Sequence, residues 1–160
     1  MRTLRSKVFS PSIRIIILMI ITTGIAYPLL VTAIGQAALP YQSNGSQVVL
    51  NGKTVGSELI AENFTSPKFF QPRNSSDSGS GVDPDITPDM AYSQIPRISN
   101  ATGIPQNALK TLVELDIERN KDANGLLFAP DYVRVLNINV ELVNQYPDVY
   151  KEFNSTGGGP

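Results

Sequence analysis

Between Arg14 and Lys53 the chain carries no charged residue. The first part of that gap, Ile15 to Ile34, reads IIILMIITTGIAYPLLVTAI. As a helix rising 1.5 Å per residue it would span about 30 Å, the thickness of a bilayer's hydrocarbon core. Each Ile or Leu near its centre favours insertion by roughly 0.3–0.6 kcal/mol. Thr22, Thr23 and Thr32 can bond back to helix carbonyls, and Pro28 removes one backbone donor, a defect that membrane helices tolerate. Gly24, Ala26, Pro28 and Ala33 are candidate packing positions, thin places where another helix could approach. A core helix this apolar all round would need a much larger globule. A cleaved signal peptide fits the small residues of GQAAL at 35–39, but the apolar run exceeds the roughly 7–15 residues usual for such leaders. The reading is an uncleaved transmembrane helix over residues 15–36.

Charge sets the orientation. Arg2, Arg5, Lys7 and Arg14 sit in a head, residues 1–14, that has no acid, leaving nine of the thirteen basic residues against all fourteen acidic ones. By the positive-inside rule the head is cytoplasmic and the acidic body, residues 37–150, lies outside. Asn-x-Ser/Thr sequons at Asn44, Asn63, Asn74, Asn100 and Asn154 are compatible with export. A basic head on an acidic body argues against nucleic-acid binding, which needs positive charge on a folded face. The chain has no cysteine and no histidine. Disulfides, thiolate metal sites and every Ser-His or Cys-His nucleophile pair are therefore excluded. No phosphate loop, G-x-S-x-G elbow or calcium-loop pattern is present.

The body reads as one small α+β domain. Asn51-Gly52 between Gln47–Leu50 and Lys53–Val55 signals a hairpin, since both residues accept positive φ in a type I′ turn. In GSELIAENFTSPKFFQPR, residues 56–73, the apolar residues Leu59, Ile60, Phe64, Phe69 and Phe70 suggest a short helix or turn and then an irregular segment anchored by aromatic rings. Thr87-Pro88-Asp89 has the form of a helix start, with disturbance expected at Pro96 and an end before Gly103. Pro105 opens a second helix with Leu109, Leu112, Val113 and Ile117 on one stripe. Asp122–Gly125 reads as a turn. Tyr132–Val140 alternates at period two and reads as a strand, with Asn137 and Asn139 on a solvent face or an interface. Residues 151–160 read as a disordered tail.

The loop SGSGVDPDITP, residues 78–88, admits two readings. Asp83 and Asp85, with Asp77 and Asp89 nearby, could form a loose Ca²⁺ or Mg²⁺ site. Alternatively, Gly79 and Gly81 supply positive φ while Pro84 and Pro88 stiffen a defined excursion before a capped helix. The second reading is preferred: a rigid docking or core-framing element, with no metal.

At TGIAYPLLVTAIGQ (23–36), GSELIAENFTSPKFFQPR (56–73), SGSGVDPDITPDMAYSQIPRISNATGIP (78–105) and VRVLNINVEL (133–142) the chain resembles the small C subunit, the KdpC family, of the Kdp-type high-affinity potassium-transporting P-type ATPase. The candidate structural or docking residues in these stretches are Phe64, Phe69, Phe70, Arg73, Gly79, Gly81, Asp83, Pro84, Pro88, Gln94 and Arg97. Two departures stand out: the family's longer insertion after the FFQPR-like motif is reduced here to Asn74–Asp77, and Asp85 stands where the family commonly has histidine. The resemblance implies a non-catalytic subunit in the cell membrane, with no cofactor of its own and potassium as the transported ion. It implies three protein partners besides membrane lipid: a channel-like potassium-translocating subunit, a P-type ATPase subunit that hydrolyses ATP, and a very small single-span subunit. It further implies a catalytic chaperone that raises the hydrolysing subunit's ATP affinity. From an outer domain that effect would have to run through the membrane subunits. The alternative is a free-standing anchored sensor or ligand-binding domain.

Overall fold

The computed structural model describes residues 2–74, 76, 78–124 and 130–156, and the chain divides into two compact units, Met1–Asn44 and Gly45–Pro160. In the first unit α1 (Arg2–Ile21) runs through one π turn (Thr22–Ala26) into α2 (Tyr27–Ala38), followed by a single turn, α3 (Pro40–Ser43). Pro28 gives the π turn a cause. A proline cannot donate to the carbonyl four residues back and its ring crowds that carbonyl, so an extra residue in the preceding turn relieves the clash. Tyr27 N–H accordingly donates to Thr22 O, five residues back. The Thr22 and Thr23 hydroxyls donate to the Leu18 and Met19 carbonyls at 2.8 and 2.6 Å, which satisfies both polar side chains inside the helix. Pro11–Ala38, 28 residues, is long and apolar enough to cross a membrane and buries none of that surface in the chain's own fold. Gly24, Ala26, Pro28 and Ala33 are all exposed on it.

The second unit begins with a hairpin, β1 (Gln47–Leu50) against β2 (Lys53–Ser57), antiparallel, with a bulge between Val48 and Val49. Asn51 and Gly52 take φ of +51° and +79°, the two left-handed residues that a type I′ turn demands. Leu50 and Val55 are buried. At Gly56 an added Cβ would lie 2.7 Å from Glu62 Cγ and 3.1 Å from Leu136 Cδ2. Gly56→Val should therefore destabilise the unit by about 1–3 kcal/mol through overpacking, seen as a lower urea midpoint for the detergent-solubilised chain.

A long irregular segment leads to β3 (Asp85–Ile86) and then α4 (Pro88–Thr102). The Thr87 hydroxyl accepts from Met90 N–H and Pro88 occupies the first turn, as the residues predict. Pro96 does not stop the helix, which ends at Gly103 in the left-handed region, φ +76°. α5 (Gln106–Asn124) buries Leu109, Leu112, Val113 and Ile117. It continues through Asp122–Asn124, where a turn was expected; Gly125 lies outside the described residues.

The expected strand over Tyr132–Val140 is corrected. Only Val133–Arg134 is strand, β4, paired antiparallel to β3; α6 (Val135–Gln145) follows at once. Its buried residues, Val135, Leu136, Ile138, Asn139, Leu142 and Val143, recur at steps of three and four, a helical stripe overlaid on a β-branched composition. Burial of Asn139 breaks the period-two pattern that suggested a strand. Leu59 and Ile60, grouped with Phe64, Phe69 and Phe70 in the sequence, are exposed, and the segment takes the expected turn rather than a short helix. Part of the expected tail is ordered as α7 (Lys151–Thr156); residues 157–160 lie outside the described residues. The core joins α4, α5 and α6 to Phe64, Phe69, Phe70, Ile86, Val133 and Tyr150.

Candidate functional site

The segment FTSPKFFQPR has no strand to pair with, so its backbone polar groups need other partners if they are to be buried. Side chains supply them. Pro67 O accepts from Arg97 Nη1 at 2.8 Å, Lys68 O from the Tyr150 hydroxyl at 2.8 Å, and Phe69 O from Arg97 Nη2 at 3.0 Å. Phe70 O accepts from Asn139 Nδ2 at 2.8 Å and Gln71 O from Gln94 Nε2 at 3.1 Å. Two of these amides also take the matching donors: Phe70 N–H reaches Asn139 Oδ1 and Gln71 N–H reaches Gln94 Oε1, both at 2.8 Å. From Pro67 to Gln71 every carbonyl is thus held by a side chain from α4, α6 or Tyr150. Burial pushes the Tyr150 hydroxyl's pKa well up, with Tyr146 adding to the effect, so it stays a donor. Phe69 stacks near Phe64, Tyr150 and Phe153 at centroid distances of 5.2, 5.0 and 5.0 Å, and Phe70 is fully buried.

The loop at residues 78–88 is framed by two guanidinium groups. Arg73 Nη2 meets Asp83 Oδ2 at 2.6 Å, and Asp83 Oδ1 accepts Asp85 N–H at 3.1 Å, closing a turn around Pro84. The Pro84 carbonyl accepts Val135 N–H at 3.1 Å, where β4 becomes α6. Gly81 takes φ +72°, while Gly79 is exposed with open space around it. Arg134 reaches Asp85 Oδ1 through Nε at 3.2 Å and Glu58 Oε2 through Nη1 at 3.1 Å, and it lies over the Tyr132 ring. Asn137 donates to the other oxygen of Glu58 at 3.1 Å. Burial raises the pKa of Asp85, with the Asp83 charge adding to it, against the lowering effect of Arg134 and Arg73. Asp83 and Asp85 therefore face arginines, Asp89 sits in the first turn of α4, and Asp77 lies outside the described residues.

Among the candidates read from the sequence, Phe64, Phe69, Phe70, Gln94 and Arg97 come together in the first clamp. Arg73, Gly81, Asp83 and Pro84 come together in the second; Pro88 starts the helix between them, and Gly79 joins neither. The candidates omit Asn139, Tyr150, Arg134 and Glu58. For Asn139 a signal was present: an amide inside an otherwise apolar 3.6-residue stripe is a side chain with a buried partner. Asp116 was missed too. It is buried in α5, and Oδ2 accepts Arg134 N–H at 2.9 Å and Asn120 Nδ2 at 3.0 Å, while Oδ1 has no partner among the described residues.

Burial raises the Asp116 pKa, opposed by those hydrogen bonds and by nearby arginine charge. A raised folded-state pKa means that the folded chain takes up the proton first. Stability should rise as pH falls from that folded value toward the ordinary aspartate range, and the gain is absent at neutral pH. Asp116→Asn should flatten the rise by its own share and leave that of Asp85, as urea midpoints between about pH 4 and pH 7 would show.

Together these features define a class: a small α+β module behind one apolar helix, whose polar side chains hold backbone and one another. The chain matches the family described as K+-transporting ATPase, c chain, over residues 9–77 and 76–144. It is 32% identical over 189 aligned positions to the potassium-transporting ATPase KdpC subunit of Bacillus mycoides (strain KBAB4), covering 86% of this chain and 96% of that one. The KdpC subunit 2 of Staphylococcus aureus (strain Mu50) is 32% identical over 182 positions, 82% and 95% of the two chains. The KdpC subunit of Pseudomonas syringae pv. tomato is 31% identical over 188, 89% and 95%. The chain belongs to the KdpC family. An aligned length of 189 exceeds this chain's 160 residues, so the relatives carry residues that this chain lacks. The two family matches meet at 76–77, within Asn74–Asp77, where the resemblance implies a shortened insertion.

Proposed function

We propose that this chain is the accessory C subunit of a potassium-transporting ATPase and acts by assembling and stabilising the complex. The match to the KdpC family across most of the chain carries this reading. The apolar helix would anchor the subunit, with Gly24, Ala26, Pro28 and Ala33 as its packing positions against a partner helix. The basic head would lie in the cytoplasm and the acidic domain outside, by the positive-inside rule. The partners would be a channel-like potassium-translocating subunit, an ATP-hydrolysing P-type subunit and a small single-span subunit. An increase in the hydrolysing subunit's ATP affinity would then be transmitted through the membrane subunits, without nucleotide touching this domain.

The chain's lack of cysteine makes a topology test clean. With Asn144→Cys, an exposed position on α6, a membrane-impermeant maleimide should label intact cells from outside. Labelling only after permeabilisation would reverse the orientation. Purification through this chain in mild detergent should bring the larger subunits with it. A chain that purifies alone and responds to its own ligand would instead support an anchored sensor.

A further inference from the structure

The surface around the Glu58–Glu62 turn carries large aliphatic side chains that the fold leaves uncovered. Leu59, Ile60 and Val82 are 60%, 52% and 45% exposed. Ser57 makes the turn: its hydroxyl accepts Leu59 N–H at 3.2 Å and its carbonyl accepts Ile60 N–H at 3.3 Å. The bond from Ala61 N–H to Val82 O, 3.0 Å, then lays the two stretches side by side. An isolated exposed leucine means nothing, whereas adjoining ones mark a contact surface. Acids bracket this strip in the sequence: Glu58 and Glu62 around Leu59-Ile60-Ala61, and Asp83 after Val82. Glu58 and Asp83 are matched by Arg134 and Arg73, but Glu62 has no ion pair among the described residues. Beyond residue 14 the chain holds nine basic residues against fourteen acidic.

We propose that Leu59, Ile60 and Val82 form a docking face for another subunit of the same complex, one that presents an apolar segment flanked by lysine or arginine. This rests on the subunit reading above. Charge decides among occupants. A second copy would set Glu62 and an acidic domain against their equals, and an anionic lipid surface would repel the same groups, whereas a basic-rimmed protein segment complements them. In the sequence, the two family matches meet at 76–77, shortly before Val82.

The test co-expresses the full chain with the other subunits and purifies through this chain in mild detergent. Wild type is compared with Leu59→Ser/Ile60→Ser, with Val82→Ser, and with Glu62→Lys. The double variant should retain about tenfold less partner, as loss of central anchors does, with its melting midpoint unchanged because the residues are exposed. Val82→Ser should weaken retention less, and Glu62→Lys should remove its salt sensitivity. Full retention by the double variant, when wild type captures partner, would overturn the docking face and leave the subunit reading standing. Binding of the wild-type chain to phosphatidylglycerol-containing vesicles, or its self-association, would overturn it too if the same substitutions abolished that behaviour. A wild-type chain that captures no partner would remove the subunit reading and this face with it.

Discussion

Asn139→Leu should unfold the second unit or bring it close to unfolding. The side chain is 1% exposed and holds both the N–H and the carbonyl of Phe70 at 2.8 Å. Leucine keeps the branching at Cγ but is larger, and it leaves two buried backbone groups without partners, at about 1–3 kcal/mol each. The sum, about 2–6 kcal/mol, is a large share of the 5–15 kcal/mol that holds a typical domain together. Circular dichroism during urea titration measures the loss. Asn139→Asp separates the hydrogen-bond argument from simple volume. A carboxylate still accepts from Phe70 N–H but sets a second oxygen against the Phe70 carbonyl. Once protonated it can donate there, so the Asp variant should recover stability on acidification while the Leu variant should not.

Arg134→Met should produce the next largest effect. The guanidinium is the shared partner of Glu58 and Asp85, and all three side chains are 20–28% exposed. Removing it strands two carboxylates in a partly dry setting. Breaking a fully buried pair costs about 3–5 kcal/mol, and residual solvent contact lowers the expectation here to about 1–3 kcal/mol. Methionine keeps most of the stem's packing, so the loss reports charge. Adding Glu58→Gln and Asp85→Asn to Arg134→Met should recover much of it. A cycle in which the losses simply add would show that the three groups do not act as a unit.

The legible parts of this fold were those where backbone chemistry is local. Asn51-Gly52, Thr87-Pro88 and Gly103 each name a conformation that few other residues take, and the hairpin, the helix start and the helix end all fall on them. The apolar run was legible as a helix long enough to cross a membrane because its length and hydropathy can be read directly from the residues. The strand read over Tyr132–Val140 failed where two periodicities coincide: Val133 and Val135 fit a strand, but Leu136, Asn139 and Val143 align only on a helix. Leu59 and Ile60 were grouped with the phenylalanines by composition alone, although what lies around an irregular segment is set by tertiary contacts. The side-chain clamp illustrates the same limit. Gln94 and Arg97 lay within stretches that resemble the family, yet their targets, the carbonyls of Pro67, Phe69 and Gln71, are more than twenty residues away. Long-range pairing of a side chain with backbone leaves no local pattern, and Tyr150, 82 residues from Lys68, leaves none at all.

The central claim is that this chain does no chemistry alone and serves the transport complex by joining it. Potassium-stimulated ATP hydrolysis, measured on the detergent-purified complex with and without this chain and on the chain by itself, tests it directly. The expected result is no hydrolysis by the isolated chain and, for the complex made without it, a loss of potassium stimulation that returns when the chain is co-expressed. Hydrolysis by the purified chain alone, or a complex equally active without it, would contradict the account.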